Sequence, residues 1–249
     1  MAGRTFAIGD IHGDFEALER LLASFPPLDA KDTLVFVGDY IDRGPRSADV
    51  VTFLRALPER TPAKLVFLRG NHEDAWIRVI DRGWPEFILP AGNGCLATLR
   101  SFMGKPPPRD DEGIANDEFE ALFKGTFFPP DVVQWMRDLS LYYEDEHAIY
   151  VHAGLNKGPD GYEHPADTKK EMALMWCRDK DFVRDYRGKL VIFGHTPTKC
   201  LPEELSDYTP EDNEDVWVGP SVIGIDTRCG KGGFLSCVEL PSGQVYESK

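Results

Sequence analysis

Five short stretches of this chain put metal-binding side chains at fixed points: GDIH (9–12), GDYIDRG (38–44), GNHE (70–73), VHAG (151–154) and FGHT (193–196). Each ends an apolar run. Together they offer Asp10, His12, Asp39, Asn71, His152 and His195, a set of oxygen donors and imidazoles with no thiolate. Such donors suit Mn²⁺, Fe or Zn²⁺ and not an iron–sulfur cluster. Six donors exceed what one tetrahedral zinc uses. Two divalent ions roughly 3.5–4 Å apart, sharing one carboxylate, fit the count better. Within GDIH, Asp10 and His12 lie two residues apart, so an extended backbone points both to one side.

These residues need elements that bring them together. TFAIGD (5–10), TLVFVGD (33–39) and KLVFLRG (64–70) read as buried strands, each stopped by polar residues. FEALERLLASF (15–25) and ADVVTFLRAL (48–57) carry apolar residues at helical spacing. This alternation predicts a parallel or mixed sheet under helices, with ligands bound beyond the carboxyl ends of the strands. From Asn71 to about Asp145 the pattern turns helical and irregular. It includes a turn-rich loop, KPPPRDDEG (105–113), and a helix over DVVQWMRDL (131–139). HAIYVHAGL (147–155) and KLVIFGHTP (189–197) are two more strand-to-turn units. SVIGID (221–226), GFLSCVEL (233–240) and GQVYES (243–248) read as closing antiparallel strands. There is no repeat and no interdomain linker, so one domain over residues 1–249 is expected, with 74–147 forming part of a substrate rim.

Charge and cysteine content narrow the function. With 28 basic and 42 acidic residues, the formal net charge is −14. A broad nucleic-acid surface is not expected, because that needs cations to replace phosphate counterions. A phosphate substrate remains compatible, since bound metal can outweigh the global field. The five cysteines (95, 177, 200, 229 and 237) form no C-x-x-C pair and read as reduced thiols. No apolar run is long enough to cross a membrane. The N-terminus lacks a signal-peptide core, and site residues begin at Asp10, so a cytoplasmic protein is expected.

Taken in order, GDIHG, GDYIDRG, RGNHE, VHAGL and FGHTP resemble the signature of the phosphoprotein phosphatase family of calcineurin-like metallophosphatases. The resemblance runs from Asp10 to about Asp226. It implies an α/β fold of two packed mixed β-sheets flanked by α-helices. It also implies a dimetal site: Asp10, His12 and Asp39 on one ion, and Asp39, Asn71, His152 and His195 on the other, Asp39 bridging. The implied nucleophile is a hydroxide between the ions. His72 is the implied general acid, with Asp42 orienting it. Arg43 is the implied phosphate clamp, and Arg178, in MWCRD (175–179), resembles a second phosphate-binding arginine of bacterial members. Manganese is the first-choice metal, with Fe or Zn²⁺ as alternatives.

Departures from the wider pattern point to the bacterial branch. The fifth motif is Gly194-His195-Thr196-Pro197, without the second histidine of G-H-x-H enzymes, and VHAGL replaces the eukaryotic V-H-G-G-L. GNGCLATLRSF (92–102) also resembles that branch, where it shapes the cleft. The expected activity is phosphoester hydrolysis, on phosphoserine or phosphothreonine first, with a dinucleoside polyphosphate such as diadenosine tetraphosphate as the alternative. A phosphate-binding module without catalysis is the reading from another class; it sits poorly with a full set of ligands and acid.

The remaining polar residues have plainer readings. His147 and His164 read as surface groups, and Arg46 and Arg69 as solvated or ion-paired. Asp14 and Glu73 could orient His12 and Asn71, or could cap a helix and face solvent. GKGG (230–233) lacks a phosphate-loop pattern and reads as a hairpin turn. The acidic stretch 202–215 reads as a solvated loop, with a substrate-selecting rim as the alternative.

Overall fold

A computed structural model describes residues 3–109, 112–206 and 214–249. The first sheet is built from β1 (Thr5–Ile8), β2 (Thr33–Phe36) and β3 (Lys64–Phe67), all parallel. The second contains β4 (Tyr142–Glu144) and β5 (Ile149–Val151). A small hairpin follows, β6 (Lys157–Gly158) with β7 (Gly161–Tyr162). The second sheet resumes with β8 (Val191–Phe193), β9 (Trp217–Val218) and β10 (Val222–Gly224). β11 (Ser236–Leu240) and β12 (Gln244–Glu247) return to the first sheet. The strand orders are β12-β11-β1-β2-β3 and β4-β5-β8-β10-β9. Both sheets are mixed, each with a parallel centre.

Period-two alternation explains the layering. In β1, Phe6 and Ile8 pack with the helices while Ala7 joins the layer between the sheets. In β2, Leu34 and Phe36 face the helices and Val35 faces the second sheet. β5 and β8 mirror this: Tyr150 and Ile192 enter the inter-sheet layer, while Ile149, Val151, Val191 and Phe193 face outward. Every residue of these four strands is thus buried, which is why they read as continuous apolar runs.

The first sheet is covered by α1 (Phe15–Ala23), α2 (Ser47–Ala56) and α3 (Asn71–Arg82). Asp14 caps α1, its carboxylate accepting from Ala17 N at 3.0 Å, so its role is helix entry. The irregular region becomes α4 (Pro85–Ile88), α5 (Cys95–Phe102), α6 (Asn116–Lys124) and α7 (Pro130–Asp138). Met136 and Leu139 are buried there, and Trp135 packs on Tyr40. The second sheet's outer face is covered by α8 (Met172–Trp176) and α9 (Lys180–Asp185), through Leu174, Phe182 and Val183.

One expectation is corrected. SVIGID is not part of an antiparallel closing set: β10 runs parallel to β8 in the second sheet. The long segment 194–221 gives the chain room for a crossover. The short turns between β9 and β10 and between β11 and β12 each give an antiparallel hairpin, in different sheets. No helix among the described residues is long and apolar enough to cross a membrane. Residues 207–213 of the acidic stretch lie outside the described residues.

Candidate metal centre

The carboxyl ends of the central strands of both sheets meet at one edge. β1 delivers Asp10 and His12, β2 delivers Asp39, and β3 runs into Asn71 at the first turn of α3. β5 delivers His152 and β8 delivers His195. All six are buried, none more than 6% exposed. Asp39 lies at the centre: Oδ2 is 3.4 Å from His12 Nε2, and Oδ1 is 3.5 Å from His152 Nε2. Asp10 Oδ2 is 3.9 Å from His12 Nε2. Asn71 Oδ1 is 3.0 Å from His152 Nε2 and 2.7 Å from His195 Nδ1. Two donor groups emerge by distance, His12–Asp39–His72 and Asp39–His152–His195, and Asp39 belongs to both.

The hydrogen bonding suits cations. His12 Nδ1–H donates to Ile41 O at 3.0 Å, which leaves Nε2 with its lone pair toward the site. His152 Nδ1 is 2.9 Å from Val37 O, so both its nitrogens face acceptors. A neutral ring has only one N–H, and a cation between Nε2 and Asn71 Oδ1 removes the conflict. His195 Nε2 and Asp226 Oδ2 are buried with no hydrogen-bond partner among the described residues.

The charges agree. Burial lowers the pKa of His12 and His152, and burial with the charges of His152 and Arg178 takes His195 down to about 2. Burial thus favours the neutral imidazole, the form that binds a metal. Burial, then the charges of Asp226 and Asp39, push Asp10 well up. Burial also pushes up Asp39, but His152, His72, His12 and Arg43 overcome it and hold its carboxyl far below the usual range. Crowded carboxylates beside neutral imidazoles form a pocket that a divalent cation would neutralise.

His72 is set apart from the other histidines. Its Nδ1 donates to Asp42 Oδ2 at 2.6 Å. Asp42 is held by Thr98 Oγ1 at 2.6 Å and by Trp76 Nε1 at 3.0 Å to each oxygen. His72 Nε2 thus points into the site, 3.9 Å from Asp39 Oδ2 and 3.3 Å from an Arg43 nitrogen. Arg43 also touches His12 Nε2. Gly94 (φ +76°) lies against the Arg43 backbone: a Cβ there would stand 2.1 Å from Arg43 N. That contact and the Thr98 bond give GNGCLATLRSF its structural role. Arg178 is exposed, in a cavity it shares with Thr196, beside His195.

Glu73 turns inward. It is fully buried and accepts from Asp39 N and Gly70 N at 3.0 Å and from Tyr40 N at 2.9 Å. It ties the loop after β2 to the turn after β3. Arg46 pairs with Glu16 and Asp49, and Arg69 donates to Arg137 O, so both are structural. His147 and His164 lie beside Glu146 and Glu144, away from the centre.

The sequence motifs do not include Asp226. It follows β10 as Asp10 follows β1 and Asp39 follows β2, and it is 1% exposed. Burial, with Asp39's charge, pushes its carboxyl up against the Arg228 N–H bond. The signal that could have found it is the acid closing the apolar run SVIGID.

Parallel strand ends from two packed sheets, converging on a buried cluster of neutral imidazoles and carboxylates, define a class of metal-dependent phosphoester hydrolases. A family model for calcineurin-like phosphoesterases matches residues 3–199. The chain belongs to that family and is a metallophosphoesterase, a hydrolase, as the five motifs suggested. It is 27% identical to a symmetrical bis(5'-nucleosyl)-tetraphosphatase from Dechloromonas aromatica (strain RCB), over 98% of this chain and 95% of that protein. A crystal structure with a provisional diadenosine tetraphosphatase assignment aligns with a TM-score of 0.58 at 21% identity, covering 99% of this chain and 93% of that one. A serine/threonine phosphatase from Saccharomyces cerevisiae aligns with a TM-score of 0.53 at 17% identity, covering 99% and 79%. These structural likenesses speak for the fold.

Proposed function

We propose that this chain hydrolyses a dinucleoside polyphosphate such as diadenosine tetraphosphate at a two-metal centre. The observation that carries the substrate choice is a cavity of about 470 Å³ beside Arg43, walled by Ile88, Leu89, Pro90, Leu96 and Ile114. A hollow with apolar walls and with Arg109 and Glu112 at its edge, next to a phosphate clamp, suits a flat nucleobase with polar edges. The tetraphosphatase relative, similar over nearly its whole length, favours the same substrate. The cavity walls fall within 74–147, the stretch read from sequence as the rim.

Asp10, His12 and Asp39 would hold one ion, and Asp39, Asn71, His152 and His195 the other. Two divalent ions, manganese first, would supply Lewis-acid charge that makes water nucleophilic at neutral pH and offsets phosphate charge. Arg43 binds a phosphate oxygen through its guanidinium fork, and Arg178 reaches the same group from the segment between α8 and α9. His72, held by Asp42, gives its Nε2 proton to the leaving oxygen.

The phosphoserine or phosphothreonine reading uses the same centre but leaves the hollow beside Arg43 without an occupant. Parallel assays of the metal-loaded protein decide between them. We expect diadenosine tetraphosphate to be favoured over a phosphoserine peptide by about 100-fold in kcat/KM, or ~2.7 kcal/mol. The reverse preference would make it a protein phosphatase.

A further inference from the structure

A further cation, Lys231, lies on a segment outside the five motifs that packs against the site. The turn Arg228–Gly233 links β10 to β11. It is closed by Lys231 N donating to Arg228 O at 3.0 Å and Gly233 N donating to the same oxygen at 3.1 Å. Gly230, at φ +71°, is seated on His12: a Cβ there would lie 2.5 Å from His12 O and 2.8 Å from His12 Cβ. The turn therefore rests on one candidate metal ligand, whose ring is touched by Arg43.

The ion pairing in this turn is uneven. Arg228 is matched by Glu214 at 2.7 Å. The Lys231 side chain is exposed and its ammonium has no carboxylate or other hydrogen-bond partner among the described residues, in a chain of net charge −14. Despite that exposure, loss of water to the groups around its ammonium lowers its pKa first. The positive charges of Arg43, Arg228 and Arg178 lower it further, against Asp226. Arg178 also lacks an ion pair among the described residues. Unmatched cations held near one another repel, and an anion longer than one phosphate would relieve all of them together.

We propose that Lys231 binds a phosphate adjacent to the one being cleaved, so that the site favours condensed phosphates over monoesters. This rests on the polyphosphate reading above for the natural substrate, and its test does not depend on nucleotide turnover. Inorganic orthophosphate and tripolyphosphate are titrated calorimetrically into metal-loaded wild type, Lys231→Met and Lys231→Arg, with free metal held constant.

The expected result is that Lys231→Met weakens tripolyphosphate binding about tenfold, ~1.4 kcal/mol. Orthophosphate should change less than about twofold, and Lys231→Arg should keep tripolyphosphate within about threefold of wild type. Equal losses for both anions, or no loss for tripolyphosphate, would overturn the proposal. Unchanged melting temperatures would exclude misfolding as the cause of a loss. A wild type that binds tripolyphosphate in this Lys231-dependent way yet leaves diadenosine tetraphosphate intact would overturn the nucleotide reading and uphold the role of Lys231.

Discussion

The floor of the site and its rim are built on opposite terms. On the floor, Asp10, His12, Asp39, Asn71, His152 and His195 are buried, with Asn71 Oδ1 within 3.0 Å of both His152 and His195. Of the six non-glycine residues with positive φ among the described residues, five are His12, Asp39, Asp42, Arg43 and His195. Left-handed backbone costs such residues about 1–2 kcal/mol each, and it persists only where the surroundings over-determine it. On the rim, Arg178 and Lys231 are exposed, on irregular segments, and free of ion pairs among the described residues. The floor is held for geometry. The rim is left open to meet the charge of a substrate.

Substitutions can break this contrast, starting with the floor. Asp39→Asn should cost about 10³-fold in turnover on an aryl phosphate and empty the centre of metal by elemental analysis. Full metal and full activity in that variant would remove Asp39 from its bridging role. His72→Asn should leave metal content unchanged and lower kcat by about 10²-fold on an aryl phosphate. The loss should be larger on an alkyl phosphate, whose leaving oxygen needs the proton more. A loss of metal in this variant would place His72 among the ligands.

Glu73→Gln probes the support beneath the floor. A glutamine NH₂ would face backbone N–H groups that now find carboxylate oxygens, so metal affinity should fall about 10- to 100-fold in chelator competition. Unchanged affinity would reduce Glu73 to a packing role. Gly94→Ala sits where floor meets rim. Its Cβ would collide with the Arg43 backbone at a position already in the left-handed region. KM should rise about tenfold with a smaller change in kcat, because Arg43 moves while the ligands stay. The opposite split would show that the α5 segment supports the metals.

The floor is legible in the sequence because its chemistry restricts residue type and its strands fix spacing. GDIH and GNHE each follow an apolar run, and period-two burial in TFAI and TLVF sets which way every neighbour faces. Asp226 is less visible because it stands alone after its strand, with no second donor beside it. The grip of Thr98 and Trp76 on Asp42 joins residues 56 and 34 positions apart, contacts that no local pattern encodes. Lys231 reads as part of a hairpin turn, but the structure makes it part of a tight turn that crosses from β10 of the second sheet to β11 of the first. Its surroundings, not its neighbours in sequence, give it a further role. The parallel course of β10 is hidden because segment 194–221 carries little periodicity, and crossover or hairpin depends on where that segment packs.

The apolar layer between the sheets carries a consequence for the centre. Asp10, His12, Asp39 and Asn71 hang from one sheet, and His152 and His195 from the other. Ala7, Val35, Tyr150 and Ile192 fill the space between. The thickness of that layer therefore works as a gauge for the separation of the two halves of the donor cluster. A methyl group added or removed in this greasy spacer, well behind the chemistry, would be read out at the strand tips as a change in how well two ions fit.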